Sequence, residues 1–304
     1  MISKSEKKII NDSNCEILIN SSLLIYNNLQ INFLESQIGK KYDIVKPIYE
    51  KDNEGIYIIN ELNTRIKYIL KIKKSQNLNC FGERIYKILS KNQHKNILTF
   101  VSFIRENEYT YSIYEYVNGY NLSEYIKIYG DLLEKDIKYI FNQLVDALIF
   151  LHSYNILHCD LKLENIIINH KKEIKVIDFD LSIICYNDEG YISNNIFGTL
   201  QYIAPESYDL CIYSKKTDIW QLGVILYIII TGKFPHNNEI SYVNSYSNLC
   251  RKNIFKHIDL NYPRETIIKK KFNLLLYNLL ENMLCFDEKK RYSLDIISKK
   301  LINQ

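Results

Sequence analysis

Glycine is scarce in this chain, at nine of 304 residues. That leaves few places where backbone N–H groups can approach an anion closely. Seven cysteines are scattered at Cys15, Cys80, Cys159, Cys185, Cys211, Cys250 and Cys285, with no C-x-x-C pair. The spacing argues against a zinc site, and an odd count fits a reducing compartment. Met1-Ile2-Ser3-Lys4 has no apolar secretory core, and Ile2 stands where myristoylation needs glycine. The longest apolar run, Val224 to Ile230, is far below the ~20 residues of a membrane span. Charge of one sign is lacking too: 39 basic residues face 35 acidic ones, for a net +4. Such a balanced surface argues for neither nucleic acid nor membrane as partner. The expectation is a soluble, intracellular, cytoplasmic protein; the oligomeric state is left open.

What is present is apolar material for a core, at 47% of residues, and an unusual 26 tyrosines. The dominance of Ile, Asn, Lys and Tyr reads as coding bias more than chemistry. The length suits two small domains or one two-lobed domain. No internal repeat is found. Residues 1–41 read as an N-terminal extension, with a short helix expected near Cys15–Leu29. Tyr42–Tyr57 and Arg65–Lys73 read as strands, the latter because "IKYILKIKK" alternates apolar and basic residues at roughly period two, broken once at Ile69. Phe81–Leu89 reads as a helix, Asn96–Phe103 and Tyr109–Val117 as strands, and Asn118-Gly119 as a turn. Glu134–Tyr154 carries a 3.6-period stripe through Ile137, Ile140, Phe141, Leu144, Leu148 and Leu151. Asn165–Ile168 and Ile174–Ile177 are short strands, and residues 216–231 a very apolar helix. The fold class expected is α+β: a strand-rich lobe over residues 42–117, then a helical lobe over 118–304. A cleft between two such lobes is a natural ligand site.

Residues 156–182, "ILHCDLKLENIIINHKKEIKVIDFDLS", concentrate the chemistry. Asp160, Lys162, Asn165 and Asp178 fall in a short stretch, with Asp160 and Asn165 five residues apart and Asp160 and Asp178 eighteen. A carboxylate, an ammonium and two oxygen donors are what phosphoryl transfer asks for, since it depends on positioning and charge stabilisation. Taken singly, each residue reads as well as an ordinary solvated turn residue. Taken together at these spacings, the segment resembles the protein kinase family. "HCDLKLEN" stands for H-R-D-L-K-x-x-N and "DFD" for D-F-G, and the resemblance extends over roughly Tyr42 to Leu301.

The resemblance implies a serine/threonine protein kinase that uses ATP and Mg2+ and acts on a protein substrate. It implies Asp160 as the base, Lys162 as the cation on the transferred phosphoryl, and Asn165 and Asp178 as metal ligands. His158 and Phe179 belong to the same two motifs. "GTLQYIAPE" (Gly198 to Glu206) resembles the end of the activation segment, with Thr199 near Asp160 and Lys162. "DIWQLGVILY" (Asp218 to Tyr227) resembles the helix whose aspartate holds the catalytic-loop backbone, and Arg291 would pair with buried Glu206. "TGKFP" and "FDEKKRYS" complete the helical lobe. Upstream, "YILKI" implies Lys71 as the phosphate-binding lysine, with Glu83 as its helix partner by elimination. "HKNIL" matches H-P-N-I-V. "YSIYEYVNGYNL" implies Tyr114 as gatekeeper and backbone contacts to adenine from Glu115 and Val117, with Ile48 and Ile56 completing the ATP site.

Several positions depart from the pattern. Tyr49, Lys51 and Glu54 occupy the three glycine positions of the phosphate-covering loop, with Gly55 nearby. Side chains there oppose close backbone approach, and Glu54 is expected to repel phosphate. Lys51 either compensates in charge or is simply solvated. Cys159 replaces the arginine that clamps an activation-loop phosphate. Asp180 replaces the glycine of D-F-G and is expected to stiffen that loop, because side chains disfavour positive φ. Glu164 matches an acidic position that reads basic substrates in some members, but Ile228 stands where those carry a second acid. A second reading therefore stays open: a pseudokinase scaffold that keeps the fold and binds nucleotide and partners without efficient catalysis. A small-molecule kinase is disfavoured by "GTLQYIAPE".

Overall fold

The computed structural model describes residues 16–19, 22–25, 27–74, 81–187, 189–235, 261–270 and 272–302; Cys15, Cys80 and Cys250 lie outside them. Chain contacts divide the molecule into two units. One comprises residues 1–77 with 100–116, the other residues 78–99 with 117–304.

The first unit is an antiparallel sheet with a helix on one face. Its strands are β3 (Tyr42–Lys51), β4 (Glu54–Glu61), β5 (Lys67–Lys74), β6 (Phe100–Glu106) and β7 (Tyr109–Glu115), in the order β3-β4-β5-β7-β6. The expected helix over residues 15–29 is not what forms. Glu16–Ile19 (β1) and Ser22–Ile25 (β2) pair as an antiparallel ladder, and the helix α1 runs over Asn28–Glu35. The short, largely apolar runs EILI and SLLI, with isoleucine at 17, 19 and 25, are compatible with strands. Asn27 sets the helix start by a capping box with Gln30. Leu29 and Phe33 of α1 are buried with Tyr57, Ile59, Leu70, Ile72, Tyr111 and Ile113 of the sheet. Side chains alternate across a strand, so Lys71, between Leu70 and Ile72, lies on the face away from α1.

The second unit is mainly helical. Helix α2 (Gly82–Lys91) precedes the second crossing of the chain. Then come β8 (Tyr120–Asn121), α3 (Leu122–Tyr129), α4 (Glu134–Ser153), β9 (Ile156–Leu157), β10 (Ile166–Ile168), β11 (Ile174–Val176), β12 (Ile183–Ile184) and β13 (Tyr191–Ile192). After these lie α5 (Pro205–Leu210), β14 (Ile212–Tyr213), α6 (Lys215–Thr231), α7 (Asn261–Lys269), α8 (Leu275–Met283) and α9 (Leu294–Ile302). β10 is the middle strand of the small sheet β11-β10-β8, and β12 pairs with β9. Helix α6 is apolar on every side and every residue from Thr217 to Ile230 is buried, as expected for a central helix. Gly232, at φ +73°, ends it in the left-handed conformation.

Candidate active site

The centre of the second unit is the loop between β9 and β10. Its backbone is held from below by α6. The Asp218 carboxylate accepts from the His158 amide (3.0 Å) and the Cys159 amide (2.9 Å), and His152 Nε2 lies 2.8 Å from it. One turn on, Gln221 accepts from the Leu161 amide and donates to the Cys159 carbonyl, both at 2.9 Å. Burial alone would raise the Asp218 pKa. The His152 hydrogen bond and charge, with His158 and the Cys159 amide, more than reverse this and hold it below the usual carboxylate value. Cys159 needs such fixing because its φ is +65°, rare for a non-glycine residue. His152 and Gln221 were missed in the sequence. The only signal for Gln221 is its place three residues after Asp218 in an otherwise apolar helix.

On this platform four side chains meet. Asp160 is buried. Its Oδ1 accepts from the Thr199 amide (2.8 Å) and hydroxyl (2.7 Å), and its Oδ2 from Lys162 Nζ (2.8 Å) and Asn165 Nδ2 (3.2 Å). Lys162 Nζ also donates to Thr199 Oγ1 at 2.9 Å. Thr199 can come this close because Gly198, at φ +102°, carries no Cβ; one built there would sit 2.9 Å from the Cys159 carbonyl oxygen. His158 is fully buried. Its Nδ1 accepts from the Asp160 amide (3.3 Å), so Nε2 carries the proton and donates to the Ile177 carbonyl (3.1 Å). The His158 and Phe179 rings lie 5.3 Å apart.

The positive φ in the D-F-D turn falls on Asp178, at +65°, and not on Asp180. The aspartate in the glycine place therefore pays no left-handed penalty, and its carboxylate accepts from Tyr86 Oη of α2 at 3.4 Å. Asn165 Nδ2 donates to the Asp160 carbonyl at 2.9 Å as well, which directs its amide oxygen to the opposite side. Asn165 and Asp178 thus offer oxygen donors of the kind a hard cation takes. Among the described residues no cluster of three or more His, Cys, Asp or Glu is placed to hold a metal. Glu206 and Arg291 form a two-pronged pair (2.7 and 3.0 Å), with Arg291 buried and its guanidinium 5.1 Å from the Trp220 ring centroid.

In the first unit, the sheet face away from α1 carries Glu54, Ile56, Lys71, Ser112 and Tyr114. Lys71 is in register with Ile56 on one side and Ser112 on the other, and Ile69 with Tyr114. Tyr114 is buried, its ring edge-on to Phe100 at 5.4 Å; Glu115 ends β7. Lys51 and Glu54 pair across a two-residue turn, Asp52-Asn53. Tyr49 and Lys51 are accommodated at glycine positions as extended strand residues, with Lys51 Nζ 5.6 Å from the Tyr49 ring centroid. Gly55 is needed as glycine because a Cβ there would lie 2.4 Å from Tyr57 Oη. Glu54, expected to repel phosphate, has its carboxylate 3.6 Å from Lys71 Nζ. Ile48 is exposed on β3. In the second unit, Glu83 lies in the first turn of α2, 2.6 Å from Lys87, and Val117 lies three residues before the start of β8.

The protein kinase domain family matches residues 39–302 of this chain. Among curated relatives, the serine/threonine-protein kinase PrkC of Bacillus subtilis is 30% identical over 67% of this chain and 32% of its own length. The probable serine/threonine-protein kinase fhkD of Dictyostelium discoideum is 31% identical over 68% of this chain and 31% of its own length. A probable KIN1 homologue of Enterocytozoon bieneusi is 32% identical over 67% of this chain and 34% of its own length. The chain thus spans about a third of the length of these relatives. With the loop of Asp160, the D-F-D turn and the Glu206–Arg291 pair all assembled in one unit, the chain belongs to the protein kinase family.

Proposed function

We propose that this chain is a serine/threonine protein kinase that transfers the γ-phosphoryl group of ATP to a hydroxyl of a protein substrate. The observation that carries the proposal is the arrangement around Asp160, where one carboxylate is held by Thr199, Lys162 and Asn165 at once. In the proposed reaction the substrate oxygen bonds to the γ-phosphorus, the bond from that phosphorus to the bridging oxygen breaks, and ADP leaves. Asp160 orients the hydroxyl and accepts its proton. Lys162, anchored on Asp160 and Thr199, brings a positive charge to the transferred group. Lys71 would neutralise the α and β phosphates, and Asn165 and Asp178 would hold Mg2+, whose positive charge would offset that of the phosphates. Tyr114, Glu115, Val117, Ile48 and Ile56 would receive the adenine.

The scaffold reading rests on Tyr49, Lys51 and Glu54 and on the Glu54–Lys71 contact. A chain kept only for binding has no use for the Asp160, Lys162 and Thr199 geometry, so catalysis is the better account. An intracellular, reducing location is part of the same proposal; Cys159, Cys185, Cys211 and Cys285 are all free thiols. Purified protein incubated with Mg-ATP and a degenerate peptide library should place phosphate on serine or threonine. Nucleotide binding with no transfer to any peptide would favour the scaffold.

A further inference from the structure

The turn that joins β3 to β4 presents different side chains to its two faces. Lys51 is in register with Glu54, and Glu50 with Gly55. Side chains alternate along a strand, so Lys51 and Glu54 share the face of Lys71, while Glu50 shares the face of Tyr57 and α1. On that second face the Glu50 carboxylate is gripped by the start of the helix. Its Oε1 accepts from Asn27 Nδ2 at 2.6 Å and from Gln30 Nε2 at 3.1 Å, and Asn27 Nδ2 also donates to Tyr57 Oη at 3.5 Å. The amide oxygens of the same two side chains close the capping box. Asn27 Oδ1 accepts from the Gln30 amide at 2.9 Å, and Gln30 Oε1 from the Asn27 amide at 3.0 Å. Each side-chain amide thus faces the helix with its oxygen and the hairpin with its nitrogen. The helix dipole further favours a carboxylate at this end of α1.

Asn27 and α1 precede residues 39–302, the stretch that the kinase family matches, so no family motif accounts for this grip. Beside these contacts the helix start and the hairpin tip border an open cleft of about 480 Å3, lined by Asn27, Asn28, Leu29, Glu50, Lys51 and Asp52. Polar contacts, and not close packing, join the two elements there. On the opposite face the Glu54 carboxylate lies 3.6 Å from Lys71 Nζ, beyond the ~2.7–2.9 Å of a charge-assisted hydrogen bond. Two tethers of opposite sense meet at this turn. Asn27 and Gln30 draw Glu50 towards α1, and Lys71 draws Glu54 the other way.

We propose that Glu50 is a positioning residue for the nucleotide site. Latched to Asn27 and Gln30, it holds the hairpin in line with the sheet and keeps Glu54 from closing fully on Lys71, which lowers the competition that phosphate meets there. The inference rests on the proposed role of Lys71 in binding ATP. With Tyr49, Lys51 and Glu54 at the glycine positions, the hairpin tip is placed by a helix ahead of the matched domain instead of by backbone freedom.

Asn27→Asp keeps the cap, since aspartate caps as well as asparagine, but it sets a second carboxylate against Glu50. Combining Asn27→Asp with Glu50→Gln reverses donor and acceptor and should re-form the latch. Amide hydrogen exchange over residues 49–55 is read in nucleotide-free protein, and Mg-ATP affinity by titration calorimetry, each variant with its thermal midpoint. Exchange in Asn27→Asp should quicken about 3- to 10-fold, the factor that one hydrogen bond supplies. Its Kd for Mg-ATP should rise by a similar factor, and the double variant should return both towards wild type. In a Glu54→Gln background Asn27→Asp should still quicken exchange but leave the Kd unchanged, because the latch then has no charge to hold back. Unchanged exchange in Asn27→Asp, or an equal rise in Kd with and without the Glu54 carboxylate, overturns the proposal. Neither reading uses phosphoryl transfer. A wild type that binds Mg-ATP without transferring phosphate therefore fails the proposed function alone, and one that binds no Mg-ATP overturns both.

Discussion

The Glu54 carboxylate lies 3.6 Å from the Lys71 ammonium, within one sheet and on one face of it. A lysine expected to serve ATP phosphates therefore already has an anionic neighbour on the adjacent strand. Arriving nucleotide must displace Glu54 or bind against its charge. Replacing Glu54 by Gln should lower KM for ATP by about 3- to 10-fold, the worth of a partly exposed pair near 1 kcal/mol, with kcat little changed. Restoring glycine at 49, 51 and 54 together should lower it further. Lys71→Met should damage transfer far more than Lys51→Ala. Steady-state kinetics on the set decide it; a larger loss from Lys51→Ala would mean that Lys51 handles the phosphates.

Asp160→Asn keeps the shape and the contact with Thr199 but removes the proton acceptor. Transfer should fall by about 10²- to 10⁴-fold, while nucleotide binding by titration calorimetry stays near wild type. Asp178→Asn should act instead through the metal, since a neutral amide is a poorer ligand for a hard cation. Raised magnesium should partly restore it, and should do nothing for Asp160→Asn.

Asp218 links stability to pH. Its carboxyl is held below the ordinary value, so its contribution is present above about pH 4, the unfolded aspartate value. It is lost as the pH falls through the lower folded value. Urea unfolding between pH 3 and 7 should show wild type losing stability on acidification more steeply than Asp218→Asn. At neutral pH the variant should be less stable by about 1–3 kcal/mol, the cost of leaving buried partners unsatisfied. Transfer should fall too, because the His158 and Cys159 amides lose their anchor.

Tyr213 holds Phe197 by ring stacking and by two hydrogen bonds, and no arginine at position 159 is required. Phosphatase-treated wild-type protein should therefore keep its peptide transfer. Tyr213→Phe, which preserves stacking and deletes the hydroxyl, should weaken transfer several-fold, as a loss of about 1 kcal/mol does. Silencing by phosphatase, with recovery on rephosphorylation of Tyr191, Ser193 or Thr199, would show that another basic group replaces the missing arginine.

Much of the catalytic loop was legible because its chemistry lies along the chain: Asp160, Lys162 and Asn165 are separated only by local geometry. Lys71 could be placed on a strand from alternation alone. His152 and Gln221 could not, because their polar atoms acquire meaning only when α4 and α6 pack beneath the loop. The Glu54–Lys71 contact depends on the register of β4 with β5, which no short motif encodes. The helix expected at residues 15–29 failed because apolar runs this short suit either period, and the Asn27 cap lies close to the end of that window.

The chain has a single tryptophan, Trp220, fully buried in α6, with Phe286 edge-on at 5.6 Å. Arg291, which crosses the same ring, is also half of the Glu206 pair. Intrinsic fluorescence therefore reports on one of the two units only. A shift in tryptophan emission marks the opening of the helical unit around Glu206 and Arg291. Unfolding of the sheet unit, rich in tyrosine and without tryptophan, is silent in that channel and must be followed by tyrosine absorbance or circular dichroism. Comparing the two signals during denaturation gives an optical measure of whether the units come apart together or in sequence, with no label attached.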